Sequence, residues 1–251
     1  MATSNMSALS LFLDRLLRRS VLSAEEQGAI LNLRSHAFQA EGRSDIVSPG
    51  QKVDHACLVV DGLVGRFDQM AADGRRQTTA FHLPGDMCDL HSVVAPVAGW
   101  GIEAIATSTV LHIPHRDLRA LATSYPAIAL AFWRDTTADA SILGKWVSNV
   151  GRRNAPARTA HLVCEIGIRM EQAGLGERTR YTFAATQVQL ADALGLTPVH
   201  VNRTLQALRA DGLLRIEQRM VHVDDWDRLA VLAEFDPEYL LIEHLPEQRA
   251  A

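Results

Sequence analysis

The stretch Thr186–Leu208, TQVQLADALGLTPVHVNRTLQAL, decides the fold. It reads as two short helices joined by a sharp turn. Thr186 is placed to cap the first helix, and Gln189, three residues on, completes a capping box. Leu190 and Leu194 lie one turn apart, with small Ala191 beside Leu190, where a second helix can approach closely. Gly195 falls where the chain has to turn and is expected to take positive φ. Thr197 is a good N-cap and Pro198 a good first residue for the second helix. Val201, Leu205 and Leu208 repeat at intervals of 4 and 3 and face inward, which leaves Val199, His200, Asn202, Arg203 and Gln206 facing out. A glycine turn between two capped helices, the second with a polar outer face, is a helix-turn-helix built to enter a DNA groove.

Downstream, Asp211-Gly212 ends the second helix. Leu213, Leu214 and Ile216 are expected to pair with Met220, Val221 and Val223 across a turn at Gln218-Arg219, forming a wing that carries Arg215 and Arg219. The candidate DNA-contacting residues are therefore Thr186, Gln187, Gln189, Thr197, Pro198, Val199, His200, Asn202, Arg203, Gln206, Arg215 and Arg219. Charge distribution agrees. The net charge is −4, but residues 152–222 carry 10 Arg and Lys against 6 Asp and Glu, whereas residues 223–251 carry 2 against 8. The one positive region holds the helix-turn-helix, as phosphate binding requires.

Apolar residues make up 47% of the 251, enough for one large or two small cores. No apolar run approaches the 18 or so residues of a membrane span. At the N-terminus Arg15, Arg18 and Arg19 follow the short apolar run, the reverse of a secretory signal, so a cytoplasmic protein is expected. Cys57, Cys88 and Cys164 are widely spaced with no Cys-x-x-Cys, which excludes a disulfide framework, a zinc ribbon and a locally ligated iron–sulfur cluster.

Residues 1–35 read as helical, with Ser23-Ala24-Glu25-Glu26 opening a second short helix. Short β-prone runs follow: Cys57–Val60, Leu63–Phe67, Thr78–Leu83 and Ile102–Ile113. Turn signals at Pro49-Gly50, Asp61-Gly62, Asp73-Gly74 and Pro84-Gly85 separate them, and Pro114 ends the section, so an antiparallel barrel or jelly roll is expected. A long helix then runs over about 126–153. Ile128, Phe132, Leu143, Trp146 and Val150 form one apolar stripe, and Trp133, Ala140 and Val147 a second. One stripe is expected on the barrel and the other on a partner subunit, with Phe132, Thr136, Leu143, Trp146 and Val150 as candidate dimer-interface residues. Gly151–Pro156 is the natural hinge, and a further helix spans about 157–173.

The β-roll, long helix and winged helix-turn-helix together resemble the family of the cyclic-AMP receptor protein and the fumarate-nitrate reduction regulator (Crp/Fnr) from about Leu9 to Leu240. The most specific parts are TQVQLADALGLTPVHVNRTLQALRADGLL and the turn LPGDM at 83–87. The resemblance implies an α+β chain: a jelly-roll, cyclic-nucleotide-binding-like sensor domain at 1–125, a dimerisation helix and hinge at 126–153, a winged helix-turn-helix at 154–240 and an acidic tail at 241–251. It implies a homodimeric transcription regulator, not an enzyme, reading a two-fold symmetric operator on double-stranded DNA. RNA polymerase and an unknown small-molecule effector are further candidate partners, and no membrane is expected.

Two departures from the family pattern bear on the signal. Cyclic-nucleotide-binding members carry Gly-Glu-Leu after the glycine turn and an Arg-Ser or Arg-Thr pair about ten residues later. Here Asp89-Leu90-His91 stands in the first position and no Arg lies near Trp100-Gly101. A buried phosphate without an Arg is costly, so cyclic AMP is not expected to bind in the usual way. Gly85, Asp86, Asp89, Leu90, His91 and Trp100 are the candidate sensor-pocket residues. Members that sense oxygen through an iron–sulfur cluster carry N-terminal cysteines, and the first here is Cys57. No cofactor is expected from these residues. Haem is the alternative, since His36, His55, His82, His91, His112 and His115 all lie in the sensor half. In the helix-turn-helix, Arg203 matches the family's base-reading Arg, while Val199 replaces a common Glu and offers only apolar contact. A cupin-type metalloenzyme is the competing class. It needs a His-x-His that the chain lacks, and His82, Asp86, Asp89 and His91 are its nearest cluster.

Overall fold

The computed structural model describes residues 2–242; most of the expected acidic tail, 243–251, lies outside them. Among the described residues, 2–67, 81–141 and 240–242 form one compact unit and 68–80 with 142–239 a second.

The first unit begins with helices α1 (Ala2–Leu17) and α2 (Ala24–Leu31). Ser23 caps α2 through the expected box with Glu26. Seven strands follow along the chain: β1 (His36–Ala40), β2 (Asp45–Val47), β3 (His55–Asp61), β4 (Val64–Gln69), β5 (Arg76–His82), β6 (Gly101–Ala104) and β7 (Ser108–Pro114); the end of β4 and β5 as far as Ala80 belong to the second unit. They form two antiparallel sheets, ordered β1-β7-β3 and β2-β6-β4-β5. The alternation of β3 explains the layering. Cys57 and Val59 point into a core between the sheets with Val64, Ile102 and Val110, while Ala56 and Leu58 point to a second core under the helices with Phe12, Leu16 and Ile128. The expected run 102–113 is two strands, broken at residues 105–107. Short β1 and β2 and the helix α3 (His115–Ser124) were not foreseen.

Helix α4 spans Pro126–Arg152, within one residue of the sequence reading. Its faces sort differently from the expectation. Phe132 is 8% exposed and packs near the Phe12 ring. Trp146 is 5% exposed, and its indole N–H donates to Glu165 Oε2 at 3.0 Å. Leu143 and Val150 are half-buried, and the Thr136 hydroxyl donates to the Trp133 carbonyl. The stripe expected at a partner is thus turned into its own chain. The free stripe lies one position over: Leu130, Trp133, Thr137, Ala140, Gly144, Val147 and Gly151 are all exposed, Trp133 at 70% and Val147 at 68%.

The second unit holds α5 (Ala155–Gln172), β8 (Arg180–Thr182), α6 (Gln187–Leu194), α7 (Pro198–Ala210), β9 (Leu214–Glu217), β10 (Met220–Val223) and α8 (Trp226–Ala233). Asn154 caps α5. Buried in α5, Glu165 accepts from Trp146, Arg169 Nη1 at 3.2 Å and the Tyr239 hydroxyl at 2.9 Å. No described helix is long and apolar enough to cross a membrane.

His161 of α5 is fully buried between Phe235 and Tyr239, and neither ring nitrogen has a hydrogen-bond partner among the described residues. Burial, with Arg153 and Lys145 nearby, holds its pKa down to about 3. The folded state therefore keeps the ring neutral, while the unfolded chain protonates it below its ordinary 6.5. That stability is full above about 6.5 and is lost as pH falls through that value. In urea titrations at pH 7 and pH 5, His161→Phe should lose less stability on acidification than the wild type, by about 1–2 kcal/mol. Equal losses would show that His161 does not titrate this way.

Candidate nucleic-acid interface and sensor core

The helix-turn-helix forms as its local chemistry dictates. Thr186 Oγ1 accepts from the Gln189 N–H at 3.3 Å, and Gln189 Oε1 accepts from the Thr186 N–H at 2.8 Å. Gly195 caps α6 in the left-handed region at φ 61°, and a Cβ there would meet Val150 at 3.1 Å. Thr197 Oγ1 then accepts from the His200 N–H at 3.2 Å, with Pro198 in the first turn of α7. Leu190, Ala191 and Leu194 of α6 and Val201, Thr204 and Leu208 of α7 are buried, the two helices packing on each other, and Leu205 is half-buried.

On the other side of α7, Val199, His200, Asn202, Arg203 and Gln206 are exposed, with Thr197, Pro198 and Gln187 beside them. Val199 is 62% exposed, unusual for an apolar side chain with no cover. Asn202 Nδ2 donates to Gln187 Oε1 at 3.3 Å. Arg203 makes no hydrogen bond or ion pair among the described residues. Two sequence candidates are occupied elsewhere. Gln189 is buried and spent on its cap. Arg215 is held by Asp224 Oδ1 at 3.2 Å, with Glu217 at 3.8 Å. The wing pairs as expected, Leu214 with Val223 and Ile216 with Val221, and β8 adds an unforeseen third strand. Its turn puts Gln218 and Arg219 at φ 50° and 70°, with Arg219 exposed at the tip.

The sensor candidates do not surround an open site. Gly85 turns at φ 90°. Asp86 binds inward, to the Leu83 N–H at 2.8 Å and to Arg15 Nη1 at 2.7 Å, and Arg15 Nε reaches Asp135 Oδ1 of α4 at 2.6 Å. Asp89 accepts from the Cys57 N–H at 2.7 Å, and burial pushes its pKa up to about 6 against that bond. The Arg66 guanidinium lies 5.4 Å from the Trp100 ring centre and pairs with Asp139 of α4 at 2.6 Å. His91 meets the same indole edge-on at 5.8 Å. Between them remains about 10 Å³, room for one water and no nucleotide. Leu90 and His91 also border an apolar cavity of about 290 Å³ against Leu118, Phe132 and Trp133. Of the remaining histidines, His82 is buried, and His115 Nε2 pairs with Ser92 Oγ at 2.7 Å. The three cysteines are buried and unpaired.

Two family models match the chain: a cyclic nucleotide-binding domain over residues 38–125 and a Crp-like helix-turn-helix domain over residues 157–232. The nitrogen fixation regulation protein FixK of Azorhizobium caulinodans is 29% identical over 181 residues, 69% of this chain and 68% of that protein. The chain belongs to the Crp/Fnr family of transcription regulators. Its structure matches that of FixK2 from Bradyrhizobium japonicum with a TM-score of 0.72 at 27% identity, covering 80% of this chain and 98% of the other. The fumarate and nitrate reduction regulatory protein of Escherichia coli is 25% identical over 160 residues, 64% of each chain. The regulatory character of the family sets aside the metalloenzyme reading, and the DNA-binding module is its helix-turn-helix domain.

Proposed function

We propose that this Crp/Fnr regulator is a homodimer that lays α7 of each subunit in the major groove of a two-fold symmetric operator, and that its signal is not cyclic AMP. The observation that carries the reading is the outer face of α7, an exposed strip of polar groups around an unpaired Arg203, pre-ordered by caps on both helices. Arg203 has the length and fork for the O6 and N7 of guanine, Asn202 suits adenine, and Val199 suits a thymine methyl. Arg219 at the wing tip suits phosphate. RNA polymerase is the partner of such a regulator in the cytoplasm.

Dimerisation through α4 is supported by its free stripe. Positions 130, 133, 137, 140, 144, 147 and 151 alternate steps of 3 and 4, the spacing of a coiled-coil seam, with small residues at 140 and 144 that permit close approach. Trp100 and Arg66 fill the space a nucleotide would need, and the Asp89 carboxylate is spent on the strand. A small-molecule-responsive regulator with an apolar effector is the second reading, supported by the 290 Å³ cavity beside Phe132 and Trp133.

Arg203→Ala should cost roughly 1–3 kcal/mol per half-site and relax preference mainly at one base pair, whereas Arg219→Ala should weaken all sequences alike and flatten the salt dependence. Binding series over single-base operator variants at two salt concentrations decide; a uniform loss for Arg203→Ala would make it a phosphate contact. Val147→Asp on the free stripe should shift sedimentation of the micromolar protein from dimer to monomer, and a wild type that is already monomeric rules the dimer out. Calorimetry with cyclic AMP should give no heat of binding at micromolar protein. Micromolar affinity with a matching gain in DNA affinity would overturn that part of the reading.

A further inference from the structure

The sheet β1-β7-β3 brings nitrogen and sulfur ligands together at one end of its inner face. In register, His112 of β7 stands between His36 of β1 and Cys57 of β3. His55 precedes Cys57 by two residues and so shares its face. The ligand atoms of His55, Cys57 and His112 lie within 4.8 Å of one another. The two imidazoles stack with centroids 3.9 Å apart. His112 Nε2 is buried with no hydrogen-bond partner among the described residues, a costly state for a ring nitrogen. His55 Nδ1 pairs with Asp54 Oδ1 at 2.9 Å, the carboxylate–histidine arrangement that orients a ligand's other nitrogen. The cluster opens on a cavity of about 540 Å³, lined also by His36 and His115.

We propose that His55, Cys57 and His112 bind one transition-metal cation of the zinc or cobalt type at the rim of the β-roll. Two imidazoles and one thiolate suit such borderline-soft ions, and oxygen-preferring Ca²⁺ and Mg²⁺ poorly. Three protein ligands leave a fourth position facing the cavity, for water or for His36. Bond lengths of about 2.0–2.3 Å require the three ligand atoms to draw in by roughly 1 Å, within reach of the two rings' torsions. Forming the metal–Sγ bond releases the Cys57 proton to solvent, while each imidazole donates a lone pair with no proton change. The Cys57 backbone is itself bonded to Cys88 and Asp89, so the ion would sit directly behind the 85–89 turn. The site does not depend on how the chain reads DNA.

The test uses the full chain, reduced, stripped with a chelator and titrated with Co²⁺ and then Zn²⁺. The expected result is one Co²⁺ per chain with a sulfur-to-cobalt charge-transfer band, release of one proton, and displacement by Zn²⁺. Cys57→Ser should abolish the band. His112→Gln and His55→Gln, at half-buried positions, should weaken binding by about tenfold or more with circular dichroism unchanged. Cys164→Ser, in α5, should leave the band intact. If Cys57→Ser does not fold, the two histidine variants decide. Failure of the wild type to bind Co²⁺ stoichiometrically, or unchanged affinity in both histidine variants, overturns the proposal.

Discussion

The exposed face of α7 rests on one left-handed residue. Gly195 reverses the chain at φ 61° between α6 and α7, tight against Val150. A side chain at this position would meet both the αL penalty and that contact. With the turn fixed, Val201, Thr204 and Leu208 are buried where α7 packs on α6, α5 and β9, and the opposite face of α7 is left to solvent. The Thr186 and Thr197 side chains then each satisfy one N–H in the first turn of their helix, that of Gln189 and that of His200, from within the local sequence. The polar strip around Arg203 is therefore a consequence of backbone geometry, held in place before any DNA arrives.

A comparable constraint shapes the sensor unit. Arg15 of α1 pairs at once with Asp86 in the glycine turn and Asp135 of α4, and Arg66 pairs with Asp139 one turn further on. Partly buried charges of this kind are held in register because losing either partner leaves the other uncompensated. Arg66, buried by its pairing, stacks its guanidinium on the half-open Trp100 ring. Only about 10 Å³ is left between these side chains, while the face of α4 away from these contacts is left free.

The helix-turn-helix and wing were legible in the sequence because their determinants are local. The capping box, the glycine, Thr197-Pro198 and the apolar pairs flanking Gln218-Arg219 each act within a few residues. What was missed depends on distant partners. β1 has four exposed residues of five and no alternation, so only its pairing with β7 makes it a strand. α3 follows Pro114 directly, where a proline reads as a stop. On α4, large apolar side chains suggested the interface, yet size predicts burial in the nearest core: Phe132 and Trp146 went inward, and the free stripe runs through Thr137, Ala140 and Gly144. Polar side chains misled in the opposite sense, since Gln189 and Arg215 are engaged by their own neighbours. The row of His36, His112 and Cys57 is invisible along the chain, because strand register alone assembles it.

On the proposed function, two copies of α7 read DNA together. Selection of binding sites from a random duplex pool by the full-length wild-type protein tests it most directly. The expected result is enrichment of an inverted repeat with half-site centres about 10–10.5 base pairs apart, one turn of the double helix. Enrichment of a single asymmetric element, or no enrichment over the starting pool, would contradict it.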